Sequence, residues 1–208
     1  MPALPGRPKA IEKPCLVLGE GPDDWFFLSA LVEELRIDHI QVDHLQGKDK
    51  LSLHLRALKE RTGRERLRAL AIVTDADDNF GASFRKVCNS LSAAGFAVPV
   101  AAGTHTNTAP SVGVFVLPDN ARPGELEDLC LASIQADAAF ACLDQFFECV
   151  KTASGREPRE PSKARVLAWL AAQPMKGGVK HLGIAAFKGC WPWTDAAFQP
   201  LVNFLRLM

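Results

Sequence analysis

Leu67-Arg68-Ala69-Leu70-Ala71-Ile72-Val73-Thr74 (LRALAIVT, residues 67–74) is the stretch whose reading decides the fold. A strand solvated on one face alternates apolar and polar residues. A strand covered on both faces, as at the centre of a parallel sheet, reads as a nearly continuous apolar run. LRALAIVT reads that way and predicts a central parallel strand. Upstream, residues 14–19 (PCLVLG) form a shorter apolar run. Pro22 follows at a helix N1 position, and Leu28, Leu31, Val32 and Leu35 recur at helical spacing. A second strand-like run covers Ile37–Leu45, and Leu51, Leu55 and Leu58 predict a helix that stops at Thr62-Gly63. Downstream, Phe84, Val87, Cys88 and Leu91 fall at i, i+3, i+4 and i+7, with Gly95 to close that helix. Two more strands are expected at 96–101 and 112–117.

Strand and helix therefore alternate from residue 14 to about residue 117, the pattern of a mainly parallel, doubly wound α/β sheet flanked by helices. Beyond residue 123 the periodicity becomes helical. Leu126, Leu129, Cys130 and Ile134 share one face, and Phe140, Leu143, Phe147 and Val150 another. After a polar loop at 152–162, further helices are expected at 162–173 and 195–207, around a Gly- and Trp-containing segment at 177–193. The expected organisation is a flexible N-terminal arm (1–13), an α/β domain (14–122) and a helical C-terminal part (123–208) packed on the same domain.

The chain has 208 residues, 48% hydrophobic and 23% charged, enough for one sizeable core. Its 24 basic and 24 acidic residues cancel, which argues against a broad basic face but leaves a local patch open. The Pro-rich residues 1–13 lack the apolar region of a signal peptide, and no run is long enough to span a bilayer. The six cysteines are scattered without a C-x-x-C pair and read as reduced core residues. Together these features predict a cytoplasmic protein with no membrane partner.

Open α/β sheets bind ligands at the carboxyl ends of their strands. Here those ends are acidic: Gly19-Glu20-Gly21-Pro22-Asp23-Asp24 after the first strand, and Thr74-Asp75-Ala76-Asp77-Asp78-Asn79 after the third. In extended backbone Asp75 and Asp77 point the same way. If the two strands are neighbours, Glu20 faces the same spot. Carboxylates crowded into one crevice repel unless something neutralises them, and a hard divalent cation, Mg²⁺ or Mn²⁺, is the natural counterion. Taken singly, Asp23 or Asp24 equally suits a cap on the first helix, and Asp77 or Asp78 a cap on the third. Other acidic or phosphate motifs fail. An EF-hand loop from Asp75 would need Gly and Glu where Phe80 and Lys86 stand. No G-x-x-x-x-G-K-[ST] is present. A haloacid-type phosphohydrolase would carry its D-x-D on the first strand, and a receiver domain would need a lysine where Pro118-Asp119 stands.

An E-G strand end followed about fifty residues later by D-x-D on a βα unit resembles the Toprim domain, a Rossmann-like fold. LVLGEGPDD, IVTDADDN and GVFVLPDN…PGELEDL resemble more closely the small bacterial Toprim-like proteins of the DUF3226 type. The resemblance covers roughly residues 14–131 and, loosely, the tail to 208. It implies an Mg²⁺- or Mn²⁺-dependent site for phosphodiester chemistry. Glu20 would then be the general acid/base or a metal ligand, and Asp75 and Asp77 the metal-holding pair. Asp24 and Glu127 match further acidic positions of OLD-like nucleases, and Lys163, in S-K-A-R, matches their downstream lysine. The chain lacks the ATPase domain of OLD proteins, the tyrosine domain of topoisomerases and the zinc module of primases.

Gly47 and Lys48 precede a helix and could meet a phosphate there, or form an ordinary solvated loop. Arg61, Arg64, Arg66 and Arg68 make a basic run, either a solvated face or a contact to nucleic-acid backbone. His105 could rim the site, and Trp191 and Trp193 could stack bases or anchor the core. The last helix, with Phe198, Leu201, Val202 and Leu205 on one stripe, is docked core or the seam of a homodimer. The expectation is a Toprim-like, metal-dependent phosphodiester-processing protein, a nuclease on DNA or RNA. The alternative is a module that binds Mg²⁺ and a nucleotide or nucleic acid without turnover, or a subunit of a larger repair or defence complex.

Overall fold

A computed structural model describes residues 10–45, 47, 50–175 and 178–208. Four strands, β1 (Cys15–Gly19), β2 (Ile40–His44), β3 (Ala69–Asp75) and β4 (Ser111–Leu117), form one sheet in the order β2-β1-β3-β4. Every neighbouring pair is parallel. Helices α1 (Pro22–Glu34), α2 (Leu51–Leu58) and α3 (Phe80–Ala93) connect the strands, and α4 (Leu126–Ser133), α5 (Phe140–Ser154), α6 (Pro161–Ala171), α7 (Leu182–Phe187) and α8 (Gln199–Arg206) follow. The protein is thus an α/β fold with an all-parallel sheet flanked by helices. β1 and β3 are adjacent, as a shared acidic crevice requires.

Strand alternation divides the interior in two. Cys15, Val17, Ala69, Ala71, Val73, Phe115 and Leu117 face a core shared with α1 and α4–α8. Leu16, Leu18, Leu70, Ile72, Val112, Val114 and Val116 face a second core shared with α2 and α3. Because β3 is covered on both faces, LRALAIVT has almost no polar position. The stripe Leu201, Val202, Phe204 and Leu205 is buried, and Phe204 packs 5.4 Å from Phe115, so α8 is docked core. Trp191 and Trp169 stack at 5.2 Å, and Trp193 lies against Phe27 and Phe198, which makes both tryptophans of the C-terminal segment core anchors.

Four expectations change. Residues 96–101 form no strand: Pro99 lacks a ladder donor, and Val100 is 95% exposed. The outer edge of β4 is covered instead by residues 103–106 and by Asn120. Gly103 N–H donates to Val114 O (2.7 Å), Thr106 N–H to Val112 O (2.8 Å), and Val112 N–H to Thr106 Oγ1 (2.8 Å). Asn120 receives Val116 N–H on Oδ1 (2.7 Å) and returns its own N–H to Val116 O (2.8 Å). Second, residues 10–13 do not fray. Ile11 is buried against α2 and α3, and its N–H donates to Thr62 O at 2.8 Å. Third, Cys142 and Cys149 are exposed on α5 and are not core residues, although all six cysteines are free thiols. Fourth, Asn79 rather than Asp77 or Asp78 caps α3, accepting from Ala82 N–H at 2.9 Å. Asn79→Ala should lower stability to urea by about 1 kcal/mol, the usual value of a lost cap. Asp78→Ala, by contrast, should leave it within about 0.5 kcal/mol.

Candidate metal centre

The crevice begins where β1 and β3 end side by side. Glu20 is 7% exposed, and its Oε1 accepts hydrogen bonds from the Thr74 hydroxyl and, at 3.1 Å, from Asp75 N–H. The two acidic strand ends therefore meet, through a carboxylate bonded to the neighbouring strand's backbone. Asp75 turns the other way: its Oδ1 accepts from Leu126 N–H at 3.0 Å, fastening the start of α4 to the end of β3.

Asp24 satisfies the capping reading. In the first turn of α1 its Oδ2 accepts from Gly21 N–H at 2.9 Å. A Cβ on Gly19 would lie 2.7 Å from Asp24 Cβ, so this close approach requires glycine. Burial pushes the Asp24 carboxyl up to about 7, against the pull of the Gly21 hydrogen bond and with help from the negative charges of Glu20 and Glu127. Burial likewise raises Glu127 above its ordinary range, with Glu125 and Asp23 adding to the rise and Lys163 opposing it. Burial works against the Lys163 ammonium, but Glu127, Glu160 and Glu125 together raise it.

Gly21, Asp23, Asp24, Asp75, Glu125, Glu127, Lys163 and His181 line one cleft of about 460 Å³. A second cavity of about 40 Å³, lined by Glu20, Thr74, Asp75, Asp77, Ser83 and Lys86, lies towards α2 and α3, so Asp75 forms a wall of both. Asp77 does reach the neighbourhood of Asp75, but not by strand alternation. β3 ends at Asp75, and Asp77 adopts a left-handed conformation (φ 49°) while bridging to Gly124.

Gly47 does not offer its backbone to a phosphate. Its N–H donates to Glu20 O at 3.0 Å, which fastens Gly47 to the end of β1. Lys48 lies outside the described residues. Arg61 is drawn away from any nucleic-acid role by a 2.5 Å ion pair with the buried Asp43. His105 sits over Gly113 on β4, stacked 4.4 Å from Phe204 with Nε2 at 3.0 Å from Phe204 O, away from the crevice.

Sequence reasoning missed the residues that brace the site. Asp128 receives Glu125 N–H (2.8 Å) on one oxygen and the Ser162 hydroxyl (2.5 Å) on the other, tying the start of α4 to the start of α6 and so placing Lys163. The E-x-x-D spacing of Glu125 and Asp128 before an apolar run is a helix-start signal that could have revealed the first of these bonds. Thr74 lies within IVTDADDN, where nothing marks it out, and Lys86 belongs to no motif.

The carboxylate donors, two of them raised by burial, suit a hard divalent cation in chemistry. Among the described residues, however, no three or more His, Cys, Asp or Glu side chains are gathered closely enough to hold a metal ion. The carboxylates ring the cleft instead of forming a closed cage.

Residues 14–208 match the family described as "Protein of unknown function (DUF3226)". The chain belongs to the DUF3226 family. No curated protein matches this DUF3226 chain. Among solved structures it is similar to the C-terminal region of the Xanthomonas campestris pv. campestris OLD protein, at 16% identity and a TM-score of 0.47, over 94% of this chain and 95% of that one. It is also similar to the C-terminal region of the Burkholderia pseudomallei OLD protein, at 14% identity and a TM-score of 0.46, over 93% and 97% respectively. No helix among the described residues is long and apolar enough to cross a membrane.

Proposed function

We propose that this DUF3226 protein is a Toprim-like, Mg²⁺- or Mn²⁺-dependent phosphodiester-processing protein, acting as a nuclease on DNA or RNA. The observation that carries this reading is the meeting of Asp24, Asp75 and Glu127 with Lys163 in one cleft, at the carboxyl edge of adjacent β1 and β3. The raised carboxyls of Asp24 and Glu127 support it, since a bound cation relieves the burial and repulsion that raise them. Asp24, Asp75 and Glu127, which ring the cleft, would draw inward on binding to share the ion, with Asp77 beside the smaller cavity. A bound divalent cation supplies Lewis acidity toward a phosphoryl oxygen and lowers the pKa of a water. Glu20 anchors the Asp75 backbone and serves as general acid/base beside it. Lys163 meets negative charge developing on the phosphoryl group.

The spread of the carboxylates favours a second reading, in which the same cleft binds a cation with a nucleotide or nucleic acid and performs no turnover. Incubation of single- and double-stranded DNA and RNA with Mg²⁺ or Mn²⁺ separates the two. On the enzyme reading, Glu20→Gln abolishes cleavage but stays folded, because glutamine keeps the acceptor for Thr74 and Asp75 while losing the charge. Lys163→Ala lowers the rate more than binding. Cleavage by Glu20→Gln at the wild-type rate would remove Glu20 from the chemistry. Binding without cleavage by the wild type would select the second reading. On both readings millimolar Mg²⁺ or Mn²⁺ raises the melting temperature, and Asp75→Asn blunts the rise.

A further inference from the structure

We propose that the groove between α2 and α3 is a track for a nucleic-acid phosphate backbone, leading to the carboxylate crevice. This rests on the reading above and deepens it by assigning the route along which the polymer lies.

The zero net charge conceals a segregation. α2 (LSLHLRAL) and α3 (FGASFRKVCNSLSA), like α6, α7 and α8, contain no Asp or Glu, whereas α1, α4 and α5 each carry at least two. The groove between α2 and α3, about 540 Å³, is lined by Arg85, Lys86, Ser52, Asn89 and Ser90, which are cations and neutral hydrogen-bonding groups. The Ser52 hydroxyl donates to Ser90 Oγ at 3.1 Å and ties the two helices together across it. At the far end Lys59, just past α2, reaches the C-terminus of α3: its Nζ lies 3.0 Å from where a Cβ on Gly95 would stand. At the near end Lys86 lines both this groove and the small cavity of Glu20, Asp75 and Asp77. Positive groups therefore stand at both ends of the groove, Lys59 beside Gly95 at the far end and Lys86 with Arg85 towards the crevice. Among the described residues, the carboxylates nearest in sequence to the two helices, Glu60 and Asp78, stand beyond the helix ends.

A helix of 14 residues extends about 21 Å, the axial rise of about six nucleotides of a duplex strand at about 3.4 Å each. A mononucleotide would leave most of that length unused, so the feature fits a polymer. Lysine, arginine, serine and asparagine side chains contact phosphate oxygens without reading bases, so this track binds without sequence preference.

Fluorescence anisotropy of a fluorescein-labelled 20-nucleotide single strand and its duplex, with the full chain in EDTA, tests the track independently of any metal. Wild-type protein should bind with a dissociation constant below about 100 µM, the loose end of non-specific binding, and more weakly as salt rises. The double variant Lys59→Glu/Arg85→Glu changes two exposed side chains. It should bind at least about tenfold more weakly, with a salt slope shallower by about 2, one per lost phosphate contact. Its cation-induced rise in melting temperature should match the wild type's. Binding by the double variant within about twofold of wild type, or no binding by the wild type, overturns the track. Absence of a cation-induced rise in the wild type instead overturns the metal reading of the crevice, and a binding loss in the double variant still upholds the groove.

Discussion

Raising the pH of the cation-free protein from about 4 to about 7 should lower its stability through Asp24 by as much as about 4 kcal/mol, at about 1.4 kcal/mol for each pH unit crossed. In the folded chain burial and the neighbouring charges of Glu20 and Glu127 hold this carboxyl protonated up to about 7, whereas its ordinary value is 3.8. Between those values the folded state keeps a proton that the unfolded chain has released, so each rise in pH favours unfolding. Below the lower value both states are protonated and the contribution is fully present. Above the upper value both are ionised and it is lost. Asp24→Asn keeps an acceptor for Gly21 N–H but has no proton to lose, so its profile should be flatter and its stability at about pH 8 higher than wild type. Other raised carboxyls, such as Asp43 and Glu127, are common to both proteins, and the difference isolates Asp24. A bound cation requires the ionised form, so Mg²⁺ should stabilise the wild type more at about pH 8 than at about pH 5. Urea unfolding across this range, in EDTA and in Mg²⁺, measures each profile. Parallel profiles for wild type and Asp24→Asn would show that Asp24 is not held protonated.

Phe204→Ala should be similarly damaging, at about 3–5 kcal/mol for a buried phenylalanine, a large share of a typical domain's total. The Phe204 ring is 2% exposed, packs against Phe115 at 5.4 Å and stacks with His105 at 4.4 Å. The substitution leaves a cavity between α8 and the sheet and frees the segment that covers β4. Because α8 is docked within its own chain, the loss should be independent of protein concentration. A loss that shrinks as the protein is concentrated would point to a dimer seam at α8.

The order of the elements was legible because β3 and β1 are buried on both faces and therefore apolar throughout, while the helices keep one stripe such as Leu51, Leu55 and Leu58. Adjacency of β1 and β3 followed from the acidic ends, which make sense together only side by side. Residues 96–101 have the apolar content of a strand, but the missing N–H of Pro99 bars them from a ladder. In the crevice the participating segments were legible but the roles were not. Asp24 and Glu20 look alike as carboxylates after a strand, yet one caps its own helix and the other crosses to the next strand. That distinction depends on the closeness of Gly19 to Asp24, a distance with no signature in spacing. Asp77 was placed by the period of an extended chain, which fails once the backbone turns left-handed after Asp75. Gly47 looked free to meet a phosphate because the sequence does not reveal that its N–H meets Glu20.

The closed edge of β4 limits how this protein can meet others. With both outward groups of Val112 and Val116 bonded to Thr106 and Asn120, and the Val114 carbonyl bonded to Gly103, an extended peptide cannot extend the sheet on that side without displacing the covering segment. Unfolded neighbours on the ribosome, or misfolded copies, meet the same barrier against templated strand growth. The β4 side of the molecule is thereby a boundary where the sheet ends by its own design.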